Sequence, residues 1–99
     1  MKIIKKFVYA IEEEIEDAKE YAEKYVERKA KSDIHAANQY KEMAHDELKH
    51  AMIQHEMAVR EIDEISKVYI PPVEMQEAWD KAHKKYVEQV AWIKQMLEM

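Results

Sequence analysis

The chain has 99 residues, two Pro, no Gly and no Cys, and its formal net charge is -5. The lack of Cys excludes disulfides, thiol nucleophiles and zinc-thiolate sites, and it fits a reducing cytoplasm. The acidic balance argues against direct binding of nucleic acid, because no basic face is available to neutralise phosphates. No apolar run is long enough for a signal peptide or a membrane span, so we expect a cytoplasmic protein with no membrane partner.

Helix formers dominate the sequence, which predicts a single all-α domain over residues 1–99 with little loop. Helix one is predicted over about residues 2–30, where apolar residues recur at helical spacing. They are Ile4, Phe7, Val8, Ile11, Ile15, Ala18, Ala22, Tyr25 and Val26. Glu14 lies at the edge of this apolar stripe, whereas Glu13 and Glu16 point more outward.

A short link at residues 31–33 separates helix one from helix two, which is predicted over about residues 34–68. Either Ser32 or Asp33 is expected to cap the second helix with its side-chain oxygen. So short a link makes the two helices antiparallel neighbours, which together form a helical hairpin.

The third helix is predicted over about residues 73–98. The segment from Ser66 to Pro72 ends helix two, because Pro71 disfavours helix in the residue before it and the Pro pair prefers an extended path. The apolar stripe of helix three consists of Met75, Trp79, Ala82, Tyr86, Val90, Ile93 and Leu97. We expect this helix to cover the bundle or to serve assembly.

Helix two carries two Glu-x-x-His motifs, in which residues three apart share one face. Glu47 and His50 lie on or beside the apolar stripe, whereas Glu42 and His45 lie toward the polar side. Glu47 and His50 are therefore the inward pair. The competing interpretation is an intrahelical acid-base pair at a subunit contact.

Glu14 is expected to face this pair across the hairpin. Measured from the link, Glu14 and Glu47 are level to within about one helical turn. A Glu-x-x-His pair that faces a Glu from a neighbouring helix is how helix-bundle carboxylate sites hold iron or manganese. Glu14, Glu47 and His50 are thus the candidate metal ligands.

Other polar residues near the apolar stripes have simpler interpretations. His55 and His83 are expected to be hydrogen-bonded packing residues rather than ligands, and His35 and His45 are expected to face solvent. Asp17 could add an oxygen ligand, although surface charge explains it as well. The tyrosines near the site are either packing residues or hydrogen-bond donors to it, and they are Tyr21, Tyr25 and Tyr40.

The pattern resembles the ferritin-like superfamily, especially its rubrerythrin-type and encapsulated-ferritin-type members. The elements that carry the resemblance are Glu14 with Tyr21, and Ala44-x-x-Glu47-x-x-His50-Ala51, within about residues 11–65. The chain as a whole is also similar to small uncharacterised helical proteins of Clostridia-like bacteria and their phages.

The ferritin-like resemblance implies a di-iron or di-manganese centre that oxidises Fe(II). It assigns Glu14 as a terminal carboxylate, Glu47 as a bridging carboxylate and His50 as a nitrogen ligand. Ferritin-like chains usually carry two such helix pairs, whereas this chain has one. The resemblance therefore implies a homodimer or larger homo-oligomer in which two hairpins complete the centre, with two metals per dimer.

A second hypothesis belongs to another class and needs no metal. The net negative charge and the unassigned third helix also suit a non-enzymatic, phage-encoded helical protein that binds and inhibits a host or defence protein. The contact surface would be an acidic face or a face that carries Trp79 and Trp92. Since a fold does not fix a function, the sequence leaves open whether the protein is an enzyme.

Overall fold

The computed structural model describes residues 2–68 and 70–99, which form three α-helices and, within those ranges, no strand. This confirms the prediction of an all-α protein with three helices. Met1, and Tyr69 in the predicted extended link, lie outside the described residues. The helices are α1 (Lys2–Ala30), α2 (Ile34–Ser66) and α3 (Val73–Leu97).

The turn between α1 and α2 is tight, and a side chain in it caps the N-terminus of α2. Ser32 has a φ of 62°, in the left-handed region that reverses the chain in few residues. Asp33 is the N-cap of α2, and its Oδ1 atom accepts a hydrogen bond from the backbone N–H of Ala36 at 3.2 Å. Of the two predicted caps, Asp33 therefore takes this role.

The second helix, predicted to end at about residue 68, ends at Ser66, the first residue of the segment expected to terminate it. The N–H of Lys67 donates to the carbonyl of Glu64, and the N–H of Val68 donates to that of Ile65. These are the three-residue hydrogen bonds of a tightened last turn, so Ser66 is the last α-helical residue. Similarly, α3 ends at Leu97, one residue before the predicted end.

Small side chains join α1 to α2. Four fully buried alanines form a strip along this interface, here called the alanine seam: Ala18, Ala22, Ala44 and Ala51. The Tyr21 ring stacks on Tyr40 with 6.4 Å between centroids, and the Lys41 ammonium lies 5.5 Å from the centre of the Tyr25 ring. Since later residues of α1 meet earlier residues of α2, the two helices are antiparallel.

The third helix packs along α1 and runs parallel to it. At its C-terminal end Ile93, Met96 and Leu97 are buried in the same core cluster as the alanine seam. Beyond the helix, the backbone carbonyl of Met99 accepts a hydrogen bond of 2.6 Å from the Lys29 ammonium near the end of α1. Burial of these apolar side chains fixes the position of α3.

An aromatic cluster connects α3 to α2. Three rings at i, i+4 and i+7 on α3 stack around the His55 imidazole of α2, and we call this group the His55 stack. The centroid distances from His55 are 5.6 Å to Trp79, 5.0 Å to His83 and 4.7 Å to Tyr86.

The environment of His55 differs from the prediction in one respect. The ring is a packing residue, as expected, but its Nε2 atom is buried and has no hydrogen-bond partner among the described residues. Burial, with a smaller contribution from the charge of His83, lowers the pKa of His55. Stacking, rather than hydrogen bonding, therefore places this neutral imidazole.

In the described part of the chain, none of the three helices has an apolar stretch that is long enough to span a membrane.

Candidate metal centre

Glu14, Glu47 and His50 converge on the surface of the α1–α2 hairpin. One side-chain oxygen or nitrogen atom from each of them lies within 4.8 Å of the others. The Nδ1 atom of His50 is 3.6 Å from Oε2 of Glu14 and 3.9 Å from Oε2 of Glu47. The three residues selected from the sequence are thus brought together, and their role as metal ligands stays a prediction.

The cluster lies on the flank of the hairpin that faces away from α3. Glu12 and Glu16 of α1 border α3, and Glu14 is two residues from each, which is about 160° around the helix. His55 of α2 faces α3, and His50 is five residues before it, about 140° around that helix. The candidate centre and the third helix therefore occupy different sides of the hairpin.

Seven-residue spacing surrounds the cluster with apolar side chains, a feature that sequence analysis missed. Residues seven apart lie along one line of a helix and form the contact lines of paired helices. On α2, Met43 and Met57 lie seven residues before and after His50, and their side chains are 40% and 48% exposed. We call this surface the open flank. It consists of one line of residues from each helix, which are Phe7, Glu14 and Tyr21 on α1 and Met43, His50 and Met57 on α2.

The two carboxylates are recessed and the imidazole lies nearer to solvent. Relative exposure of the side chain is 26% for Glu14, 21% for Glu47 and 54% for His50. Recessed carboxylates interact more strongly with a cation than exposed ones, because less water screens them. A cation that enters from solvent would pass His50 before it reaches the carboxylate oxygens of Glu14 and Glu47.

The neighbouring Glu14 side chain changes the acidity of Glu47. A hydrogen bond with Glu14, burial and the negative charge of Glu14 together raise the pKa of Glu47 to about 7, although His50 acts in the opposite direction. Near neutral pH Glu47 therefore keeps its proton in about half of the molecules, and this proton is shared with Glu14 through the hydrogen bond between the two side chains. A divalent cation at this position would replace that proton.

The shared proton predicts how the metal-free protein responds to pH. Because the pKa of Glu47 in the folded state is above the ordinary value of 4.5, the protonated pair stabilises the fold at low pH, and this contribution is lost as the pH rises through about 7. Glu47→Gln keeps the hydrogen bond at every pH. We expect this variant to be more stable than wild type at about pH 8, by on the order of 1 kcal/mol after allowance for solvent screening, and equally stable near about pH 4, below the ordinary pKa of the carboxyl group.

Urea unfolding of metal-free protein at both pH values measures this difference. Glu42→Gln is the matched control, since Glu42 is exposed on the same helix. Equal stability of Glu47→Gln and wild type at the higher pH would show that no proton is shared.

The spacing of the donor atoms suits a first-row divalent ion. Such an ion holds oxygen and imidazole ligands at about 2.1 Å, so two ligands of one ion lie no more than about 4.2 Å apart. The two His50 distances of 3.6 Å and 3.9 Å are within this limit.

The remaining sequence candidates lie outside the cluster. His35, His45 and Glu42 are exposed, as predicted. Asp17 is exposed and contributes only a small charge effect that raises the pKa of Glu47. Among the three tyrosines, Tyr21 and Tyr40 stack on each other and Tyr25 is in the core, which favours the packing interpretation.

Comparison with known proteins adds no relative from which a function can be transferred. No protein family, curated protein or solved structure matches the chain. The ferritin-like resemblance therefore stays a prediction, and a function has to be argued from the chemistry of the cluster.

Proposed function

We propose that the protein binds iron or manganese through Glu14, Glu47 and His50, and that two copies complete a ferritin-like di-metal centre. The observation that carries this proposal is the approach of two carboxylates and one imidazole to within 4.8 Å of one another. Carboxylate and imidazole donors without thiolate suit these two metals.

A single chain supplies half of the ligands that such a centre uses. Di-metal sites of helical bundles take four carboxylates and two imidazoles from two helix pairs. A second hairpin on a two-fold axis would double the set of Glu14, Glu47 and His50, so that both copies together would hold two ions. The exposed Met43 and Met57 on either side of His50 favour this contact, because a second copy would cover them.

Bound iron or manganese would supply redox chemistry, including the oxidation of Fe(II) as substrate by dioxygen or peroxide. The chain itself would hold the ions and balance their charge. Loading would remove the proton shared by Glu14 and Glu47, so binding is expected to tighten as the pH rises through about 7. The alanine seam would keep the two carboxylates at a fixed separation.

Metal titration combined with a mass measurement in solution tests this proposal. Metal-free protein is titrated with Fe(II) without oxygen, or with Mn(II), and its mass is followed by light scattering. We expect two ions per dimer and a dimer that is tighter with metal than without it. A monomer that binds one ion would overturn the shared centre, and a protein that binds no ion would overturn the whole proposal.

A second candidate function is the binding and inhibition of a host or defence protein by a phage-encoded acidic scaffold. The observation in its favour is Trp92, which is about half exposed on α3. Trp79 packs in the His55 stack and is about 140° from Trp92 around the helix, so Trp92 would act without it. Pull-down from a host lysate with and without chelator separates the two functions, because a partner retained in chelator favours the second.

A further inference from the structure

A pocket separate from the candidate metal centre lies between α1 and α3. Its volume is about 180 Å³. The wall from α1 is aliphatic and consists of Val8, Ile11 and Ile15, whereas the wall from α3 carries the Trp79 and Tyr86 rings. His55 is the residue of α2 that reaches it.

The sequence of α3 explains why this space is not filled. Trp79 and Tyr86 pack against His55 of α2, while Ala82 between them has too small a side chain to fill the space next to α1. The space is open to solvent and is large enough to admit a small ligand.

The border of the pocket is polar and carries both signs of charge. Glu12, Glu16 and Lys19 of α1 stand on one side, and Lys85 and Gln89 of α3 stand on the other. The aliphatic and aromatic side chains give a small molecule an apolar contact surface, and the charged and amide groups at the entrance can fix its orientation. Mixed charge at the entrance accommodates a polar substituent of either sign.

We propose that this pocket binds a small molecule with a single aromatic ring, placed against Trp79 and Tyr86, with its polar substituent at the entrance. Cavities of about 150 Å³ with apolar walls are large enough for benzene. Aromatic walls favour an aromatic ligand over an aliphatic one of equal size, because ring pairs gain from offset and edge-to-face contacts. The inference does not depend on metal binding, since Glu14 is on the opposite side of α1 from Glu12 and Glu16.

Phenol and cyclohexanol are matched probes for this inference. The full-length protein labelled with ¹⁵N is titrated with each, and the indole N–H signals of Trp79 and Trp92 are followed by NMR, with Trp92→Phe used for assignment. We expect phenol to shift the Trp79 signal to saturation while the signal of the exposed Trp92 stays in place. Cyclohexanol should bind about tenfold more weakly, because it lacks the ring contacts.

Filling the pocket gives a second test. Ala82→Leu should abolish the phenol-dependent shift of Trp79, and Ala91→Leu, at an exposed position of the same helix, should leave it unchanged. The proposal is overturned if phenol produces no saturable shift, if cyclohexanol binds equally well, or if folded Ala82→Leu binds phenol like wild type. The comparison of the two probes on wild-type protein needs no variant, so it decides the question even if Ala82→Leu does not fold.

Discussion

Replacement of both Glu47 and His50 by alanine is expected to abolish the binding of Fe(II) and Mn(II). The variant loses the imidazole and one of the two carboxylates that lie within 4.8 Å of one another, which leaves Glu14 alone in the cluster. Loss of residues that merely orient metal ligands already lowers affinity by about 10–100-fold, so loss of two ligands should lower it by more than about 100-fold. Isothermal titration of metal-free protein with Mn(II) measures the change.

The second Glu-x-x-His motif of α2 supplies a matched control for this experiment. Glu42→Ala with His45→Ala removes the same residue types, at the same spacing and on the same helix, but from exposed positions outside the cluster. We expect this variant to bind metal like wild type. Equal loss in both double variants would mean that the acidic surface holds metal without a defined site, and unchanged binding in both would refute the assignment of Glu47 and His50.

Ile93→Ala is expected to lower the free energy of unfolding by about 2–5 kcal/mol, the usual cost of removing a large aliphatic side chain from a packed core. Ile93 is fully buried and belongs to the core cluster that joins α3 to α1. Since small domains have a total stability of about 5–15 kcal/mol, this is a large fraction of the total. Urea unfolding followed by circular dichroism measures the loss.

Val87→Ala, on an exposed part of the same helix, is the control for Ile93→Ala. Its effect should stay within about 0.5 kcal/mol, as is usual for surface substitutions. In a Trp92→Phe background, the fluorescence of Trp79 reports separately on the His55 stack, so it reveals whether α3 leaves the hairpin before the hairpin unfolds. If Ile93→Ala and Val87→Ala have equal effects, α3 is not held by the buried cluster.

The positions of the helices could be predicted because local features determine them. A chain without Gly offers few places to interrupt a helix, and Asp33 and the Pro71–Pro72 pair supply the boundaries. The approach of Glu14 to Glu47 and His50 could be predicted as well. It needs only the antiparallel hairpin that a short link dictates, together with the position of each residue relative to its apolar stripe.

The His55 stack and the shared proton could not be predicted from the sequence. His55, Trp79, His83 and Tyr86 each fit a packing position, but their meeting depends on how far α3 is shifted along α2, and the link at residues 67–72 does not fix that shift. The raised pKa of Glu47 depends on side-chain distances and burial, which are properties of tertiary packing. The sequence did indicate that the three rings share one face of α3, because they are four and three residues apart, but it did not indicate which residue of α2 they contact.

The alanine seam has a consequence for the reach of the carboxylates. Four alanine side chains at the interface allow α1 and α2 to approach each other closely, and this approach brings the carboxylates of Glu14 and Glu47 within reach of each other. Bulkier residues in the seam would push the axes of α1 and α2 apart. Glu14 and Glu47 would then be too far from each other to share a metal ion, although neither residue had been changed. The buried alanine seam thus sets the distance between the two carboxylates of the candidate metal centre.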